Sequence, residues 1–377
     1  LLRQQLSCTR LKENRPAGRF FHVLNRLVSW IPSESQGVWP REGESSGWRS
    51  WMKKLACILL TVVIAGCAAP TPRNWQAETA EAVLAAAQAG DMQAQKVAGN
   101  RYARAEDKAN AILWLEKAAH QGDAEAQYLA GCLYSFCSDA PEYDKARFWF
   151  EKSAAQGYAA GQGSLGTLYS SGDGVEQSDA KAAELFRKAA DQGYAESQYN
   201  LGLLYEQGRG VERSDATAAR YYERASDQGF VLAHSSLGWM YREGRGVKQD
   251  AKRALDLFLQ AAEDEIPEAM NAAGWIYVEG GAVARDYEKA ADLFRRAAEA
   301  GYAKSQYGLG WLYENGRGLK QDMVEAYAWM EVSVKNGFES AQPDRDRVAK
   351  LLKAGQKAEA RVRASDYLER YAKSSAR

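Results

Sequence analysis

A chain of 377 residues with 49 basic and 49 acidic side chains carries no net charge and no long basic run, which sets nucleic acid aside as a main partner. Its length suggests two globular domains, but 3 histidines and 5 cysteines leave no Cys/His set at metal-ligand spacing and call for no cofactor.

Residues 1–51 begin with Leu and show neither repeat nor helical period. They scatter Trp30, Trp39, Trp48 and Trp51 among Arg, Gly and Ser. Such bulky rings are unusual in disorder, so the stretch reads as a start-site artefact, with translation beginning at Met52. A disordered cytoplasmic leader is the alternative. Met52-Lys53-Lys54, an apolar run from Leu55 to Ala65 and then Gly66-Cys67 read as a secretory signal over 52–66. That run rises about 16 Å as a helix, roughly half a bilayer core, and is no stable span. Ile64-Ala65-Gly66-Cys67 resembles the bacterial lipobox. The resemblance implies that Cys67 is lipidated and that residues 67–74 form an anchor and short linker. Ala68, in place of the Asp that retains such lipoproteins at the inner membrane, implies a periplasm-facing position on the outer membrane of a Gram-negative cell. An ordinary cleaved signal with an incidental cysteine is the alternative.

From Trp75 to Ala89 a leading helix is expected, and periodicity begins there. A helix-ending Gly or its substitute stands at Gly90, Gly122, Gly157, Gly193, Gly229, Glu265, Gly301 and Gly337. Five residues after each lie Gln95, Gln127, Gln162, Gln198, His234, Met270, Gln306 and Gln342. A Gly-x-x-Tyr block returns at intervals of 36 residues, with glycines Gly166, Gly202, Gly238, Gly274 and Gly310. A fixed period of this size marks units that bury their apolar faces only by stacking. Within the unit from Gly193, Ala195, Gln198, Leu201, Gly202 and Tyr205 follow helical spacing. Gly208-Arg209-Gly210 breaks that helix, Asp215 is expected near the start of a second one, and Gly229 ends it.

The string Ala-x-x-Gln-Tyr-x-Leu-Gly-x-x-Tyr-x-x-Gly-x-Gly-Val resembles the Sel-one-like repeat family, a relative of the tetratricopeptide repeat, over roughly residues 90 to 342. The unit at Glu265 departs from the pattern with Ile266-Pro267 and Gly280-Gly281-Ala282, and the unit after Gly90 has Arg104-Ala105-Glu106-Asp107 in place of a glycine loop. The expected fold is an all-α, right-handed superhelical solenoid of stacked antiparallel helix pairs. Residues 75–342 form the array, and 343–377, with Leu351-Leu352 and Tyr367-Leu368, form capping helices whose outer face is polar.

Cys132 and Cys137 follow the anchor. A continuous helix would hold residues five apart too far along its axis for a disulfide, whereas a turn at Cys137 would allow one. A disulfide and two separate thiols both stand as readings. His120 lies beside a helix end and His234 occupies the repeated Gln slot, so neither reads as a base. Gly-Arg-Gly loops follow helices rather than strands and are not phosphate cradles. No catalytic or metal site is expected.

The remaining chemistry is a surface. By resemblance to tetratricopeptide units, one face of each first helix lines a concave groove. There Leu203, Trp239, Trp275 and Trp311 share a register. Flanking registers add Tyr199, Tyr307, Glu206, Arg242, Glu243, Glu279 and Glu314. Such rings supply rigid contact area, although packing as ordinary core would also explain them. The expected function is a membrane-anchored periplasmic scaffold that binds a protein or peptide partner of the cell envelope in this groove. A glycan-binding module for exopolysaccharide or peptidoglycan is the alternative, and an enzyme a distant third.

Overall fold

The computed structural model describes residues 74–136 and 140–372. The leader, the signal, Cys67 and Cys137 lie outside the described residues. Among the described residues are 17 α-helices and no strand, which is the all-α class expected. Two compact units divide them, with the boundary between Phe230 and Val231.

The first unit contains α1 (Ala80–Gln88), α2 (Met92–Arg104), α3 (Lys108–His120), α4 (Ala124–Phe136), α5 (Tyr143–Ala155), α6 (Ala159–Ser171), α7 (Asp179–Asp191), α8 (Ala195–Gln207) and α9 (Asp215–Ser226). The second contains α10 (Val231–Glu243), α11 (Ala251–Glu263), α12 (Pro267–Glu279), α13 (Tyr287–Glu299), α14 (Ala303–Asn315), α15 (Met323–Lys335), α16 (Gln342–Leu351) and α17 (Ala354–Ala372). Within each unit consecutive helices pack in chain order, pair upon pair, up to α16, and α17 returns to α15, the architecture of a helical solenoid.

Three sequence signals acquire physical roles. The first is the repeated Gly of the first helix. A Cβ on Gly202 would stand 2.7 Å from the ring of Tyr222 in α9, so only glycine lets the two helices approach. Phe186, Phe258 and Phe294 meet Gly166, Gly238 and Gly274 in the same way. The second signal is the repeated Gln. Gln198 donates through Nε2 to the carbonyl of Ala190 at 3.2 Å and accepts from Gln228 Nε2 at 2.7 Å. Gln95, Gln127 and Gln306 bind the carbonyls of Ala87, Ala119 and Ala298 in the same way. Each adds a side-chain donor to a carbonyl at a helix C-terminus, which also accepts from the N–H of the glycine three residues on. The third is the Gly-Arg-Gly loop. Gly210 has φ +66°, and a Cβ there would fall 2.2 Å from the backbone of Asp179. Arg209 between the glycines grips the Asp179 carboxylate with two bonds, at 3.0 and 2.7 Å. The loop thus clasps the start of the preceding second helix.

Second helices start on side-chain caps at Ser178, Ser214, Asp250, Asp286 and Asp322. The cap of α9 is Ser214, and Asp215 is its first helical residue, where its charge suits the positive end of the helix. The two departures from the glycine pattern are absorbed by glutamates. Glu265 (φ 57°) ends α11 and Glu106 (φ 61°) turns the chain after α2, both in the left-handed region.

At the end of the second unit, α17 lies along α15. Ala328, Val332 and Ala364 share a buried cluster, and Trp329 stacks on Tyr367 at 4.4 Å and on Tyr371 at 5.8 Å. Glu325 accepts from the Tyr367 hydroxyl and pairs with Arg363. Gln342 does not repeat the buried role of the earlier glutamines. It is exposed in the first turn of α16.

Candidate functional site

Trp239, Trp275 and Trp311 stand on α10, α12 and α14, the first helices of three consecutive pairs in the second unit. Each follows the glycine that receives the neighbouring second helix, so its indole begins at the edge of the core. Trp239 meets Phe258 edge-on at 5.2 Å, and Trp275 meets Phe294 at 5.2 Å. Trp275 and Trp311 lie 6.0 Å apart, tilted by 53°. All three rings are half-buried. The core fixes one part of every ring and solvent meets the rest.

The charged residues around them are largely tied to one another. Arg242 pairs with Glu279 at 2.9 Å and lies over Trp239 at 5.4 Å. Glu243 is exposed and pairs with Arg245 at 2.6 Å. Glu314 is held by Arg347 of α16, and the Arg317 guanidinium lies over Trp311 at 5.4 Å. Tyr307 donates to Asp344 at 2.9 Å and packs on Phe338. Burial, then that carboxylate, pushes its pKa up to about 12, so the phenol remains a donor. Tyr307 is therefore a strut between α14 and α16 rather than a free groove residue. Exposed pairs of this kind contribute roughly 0–1 kcal/mol each, so a partner can exchange them at little cost.

In the first unit the expected groove residues fare differently. Tyr199 is buried against Tyr222 and Phe230, with ring centroids at 5.5 and 5.0 Å. It belongs to the core, because its register faces the seam closed by the residue after Gly229. Glu206 accepts from the Tyr222 hydroxyl at 2.6 Å, and Leu203 is half-buried. Cys132 is a free thiol inside the core, where burial pushes its pKa up to about 12. Its pairing with Cys137 lies outside the described residues. One buried acid was missed. Glu196, in the first turn of α8, accepts from the Tyr194 hydroxyl at 3.0 Å, and burial pushes its pKa up to about 8. Its depth depends on neighbours distant in sequence, which the repeat pattern does not report.

Among the described residues neither histidine stands in a catalytic grouping. His120 packs edge-on against Trp149 at 4.9 Å, and His234 is buried in the glutamine slot. Among the described residues no three acidic, His or Cys side chains could share a metal ion. Nor, among them, is any helix long and apolar enough to cross a membrane.

A sequence profile of the Sel1 repeat matches residues 101–123, 124–158, 159–194, 195–230, 231–265, 267–302 and 303–338. Among solved structures, a Sel1 repeat protein from Oxalobacter formigenes is similar. It is 33% identical over 52% of this chain and 81% of its own length, with a TM-score of 0.50. Another, c5321, is described as a protective antigen present in uropathogenic Escherichia coli strains and displaying an SLR fold. It is 24% identical over 87% of this chain and 94% of its own, with a TM-score of 0.45. No curated protein matches.

Proposed function

Since the chain belongs to the Sel1 repeat family, whose solenoids generally serve as protein–protein interaction scaffolds, we propose that it is a non-enzymatic adaptor docking a protein or peptide segment on the tryptophan face of its second unit. The observation that carries this reading is the half-burial of Trp239, Trp275 and Trp311. A ring backed by Phe258 or Phe294 loses little freedom on binding and still offers apolar area and an indole N–H. Weak, mutually paired charges around it form a rim. A peptide is favoured over a glycan because Trp275 and Trp311 tilt by 53° and share no plane on which a sugar could stack.

Trp239→Ala, Trp275→Ala and Trp311→Ala are expected to cost about 2 kcal/mol or more of partner affinity each, roughly thirtyfold. The partner would first be recovered by crosslinking in the cell envelope. Affinity and thermal stability are then measured on the same variants. If melting temperature falls while the folded fraction binds as before, the docking face is wrong. Loss of binding to isolated oligosaccharides, with no protein partner recovered, would favour the glycan reading instead.

The proposal extends to location through the segment 52–67. A basic start, a short apolar run and Cys67 support a lipid-anchored, periplasm-facing protein, with Ala68 favouring the outer membrane. Several acyl chains on one cysteine exceed the two-signal threshold for stable anchoring. Cys67→Ser is expected to abolish incorporation of a labelled fatty acid and to leave precursor or soluble protein. Equal labelling of wild type and variant would reject the anchor.

A further inference from the structure

Nine positions before the helix-ending glycine or its substitute, most second helices carry an exposed charge: Glu184, Arg220, Asp256 and Asp292. Three helices depart from this. In α15 the position is Ala328, buried in one cluster with Ala364 of α17. In α3 and α5 it is Leu113 and Phe148, which stand 47% and 45% exposed. Where this register is apolar in the second unit, another element lies on it. In the first unit no described element does.

The two helices are held as one surface. Trp149 Nε1 on α5 donates to Glu116 on α3 at 3.3 Å, and the His120 ring of α3 meets Trp149 edge-on. Lys117 and Lys152 stand one turn beyond Leu113 and Phe148 on the same helix faces. Their ammonium groups rest over the rings of Trp114 at 4.1 Å and Phe148 at 4.8 Å. Among the described residues neither lysine has a carboxylate within ion-pair distance. The nearby acids are engaged elsewhere: Glu116 accepts from the Tyr134 hydroxyl at 2.9 Å, and Glu151 pairs with Arg147 at 3.8 Å. Exposed apolar tips beside lysines whose stems follow them suit the boundary between hydrocarbon and lipid headgroups.

The described chain also begins beside this surface. Trp75 shares a buried cluster with Trp114, the neighbour of Leu113. Arg101 fixes that entry by donating to the carbonyls of Trp75 and Glu78 at 3.0 and 2.8 Å. Cys67 stands eight residues before Trp75, a span of at most about 29 Å even at full extension. We propose that Leu113 and Phe148 dip into the membrane surface to which Cys67 is tethered, with Lys117 and Lys152 at lipid phosphates, so that the first unit lies on the bilayer. A lipid surface is favoured over a protein because the anchor keeps it within reach of this face. The proposal rests on the lipid anchor at Cys67 and not on the tryptophan face being a docking surface.

The test places the photocrosslinker benzoylphenylalanine at position 113, 148 or 256 of the full chain, produced in cells fed a labelled fatty acid. Each protein is irradiated with vesicles of phosphatidylethanolamine and phosphatidylglycerol that carry a second label on the phospholipid. Phospholipid adducts are expected at 113 and 148, with only background at 256, the same register in α11. As a second readout, Leu113→Ser/Phe148→Ser is compared with its parent in a Cys67→Ser background. Sedimentation with the same vesicles should fall by about tenfold or more, and the melting temperature should hold because both side chains are exposed. Fatty acid on Cys67 without adducts at 113 and 148 would overturn the membrane face and leave the anchor standing. Adducts at 113 and 148 without fatty acid on Cys67 would remove the anchor and uphold the lipid contact. Equal adducts at 256, or crosslinks to a protein at 113 and 148, would overturn the proposal, the latter by assigning this face to a partner chain.

Discussion

Replacing Gly202 with leucine is expected to destabilise the first unit by about 1–3 kcal/mol or more, concentrated in α8 and α9. The cause is a ring that cannot step aside. Even a Cβ would sit 2.7 Å from Tyr222. Tyr222 is fully buried, and its hydroxyl is tied to Glu206 at 2.6 Å. Rotating the ring away breaks a charge-assisted bond, while keeping it forces the helix axes apart. In a stacked array the damage stays near its source. Hydrogen exchange should therefore rise across residues 195–226 and little beyond the neighbouring pairs. Undiminished protection in α8 and α9 would show that the glycine is not a packing requirement.

Phe294→Ala should cost the second unit about 3–5 kcal/mol, the range for truncating a buried phenylalanine. Phe294 is fully buried and is clasped from two sides. Cβ atoms on Gly274 and Gly308 would stand 2.5 and 3.0 Å from its ring. Neither glycine can fill the space left behind, so most of the cavity cost persists. The ring is also the backing for Trp275, so the same variant should loosen the docking face. Chemical denaturation gives the stability, and the double variant Phe294→Ala/Gly274→Ala should recover part of it by returning a methyl group. A loss below about 1 kcal/mol would mean that the clasp relaxes and that the pair is not the unit of packing.

The fold was legible because each repeated residue answers a local geometric demand. Glycine at 202 and at 210 is required by what lies against it, and the glutamine series by a helix-end carbonyl. Period and helix pairing could thus be read directly. The site was harder. Tyr199, Glu206 and Tyr307 sit at registers of the expected groove face, yet their surroundings are set by Phe230, Tyr222 and Asp344, from other elements. Period alone could not separate Tyr199, sunk in a seam, from Trp275, half in solvent. The burial of Glu196 was hidden for the same reason, because its surroundings are set by residues distant in sequence. Cys132 gave no signal of its own, since a turn or a helix at Cys137 fitted the spacing equally well.

The aromatic closure of α17 over α15 bears on assembly. A solenoid end that presents a bare second helix offers a face complementary to the first helix of another copy. Contacts of that head-to-tail kind do not close on themselves and grow into fibres. Here Tyr367 and Tyr371 occupy the Trp329 surface and Arg363 occupies Glu325, so that face is already spent inside the chain. Head-to-tail stacking on that face of α15 is thereby opposed without any charge repulsion. A further unit stacking directly on α15 would first have to displace α17 and give up these ring and ion-pair contacts.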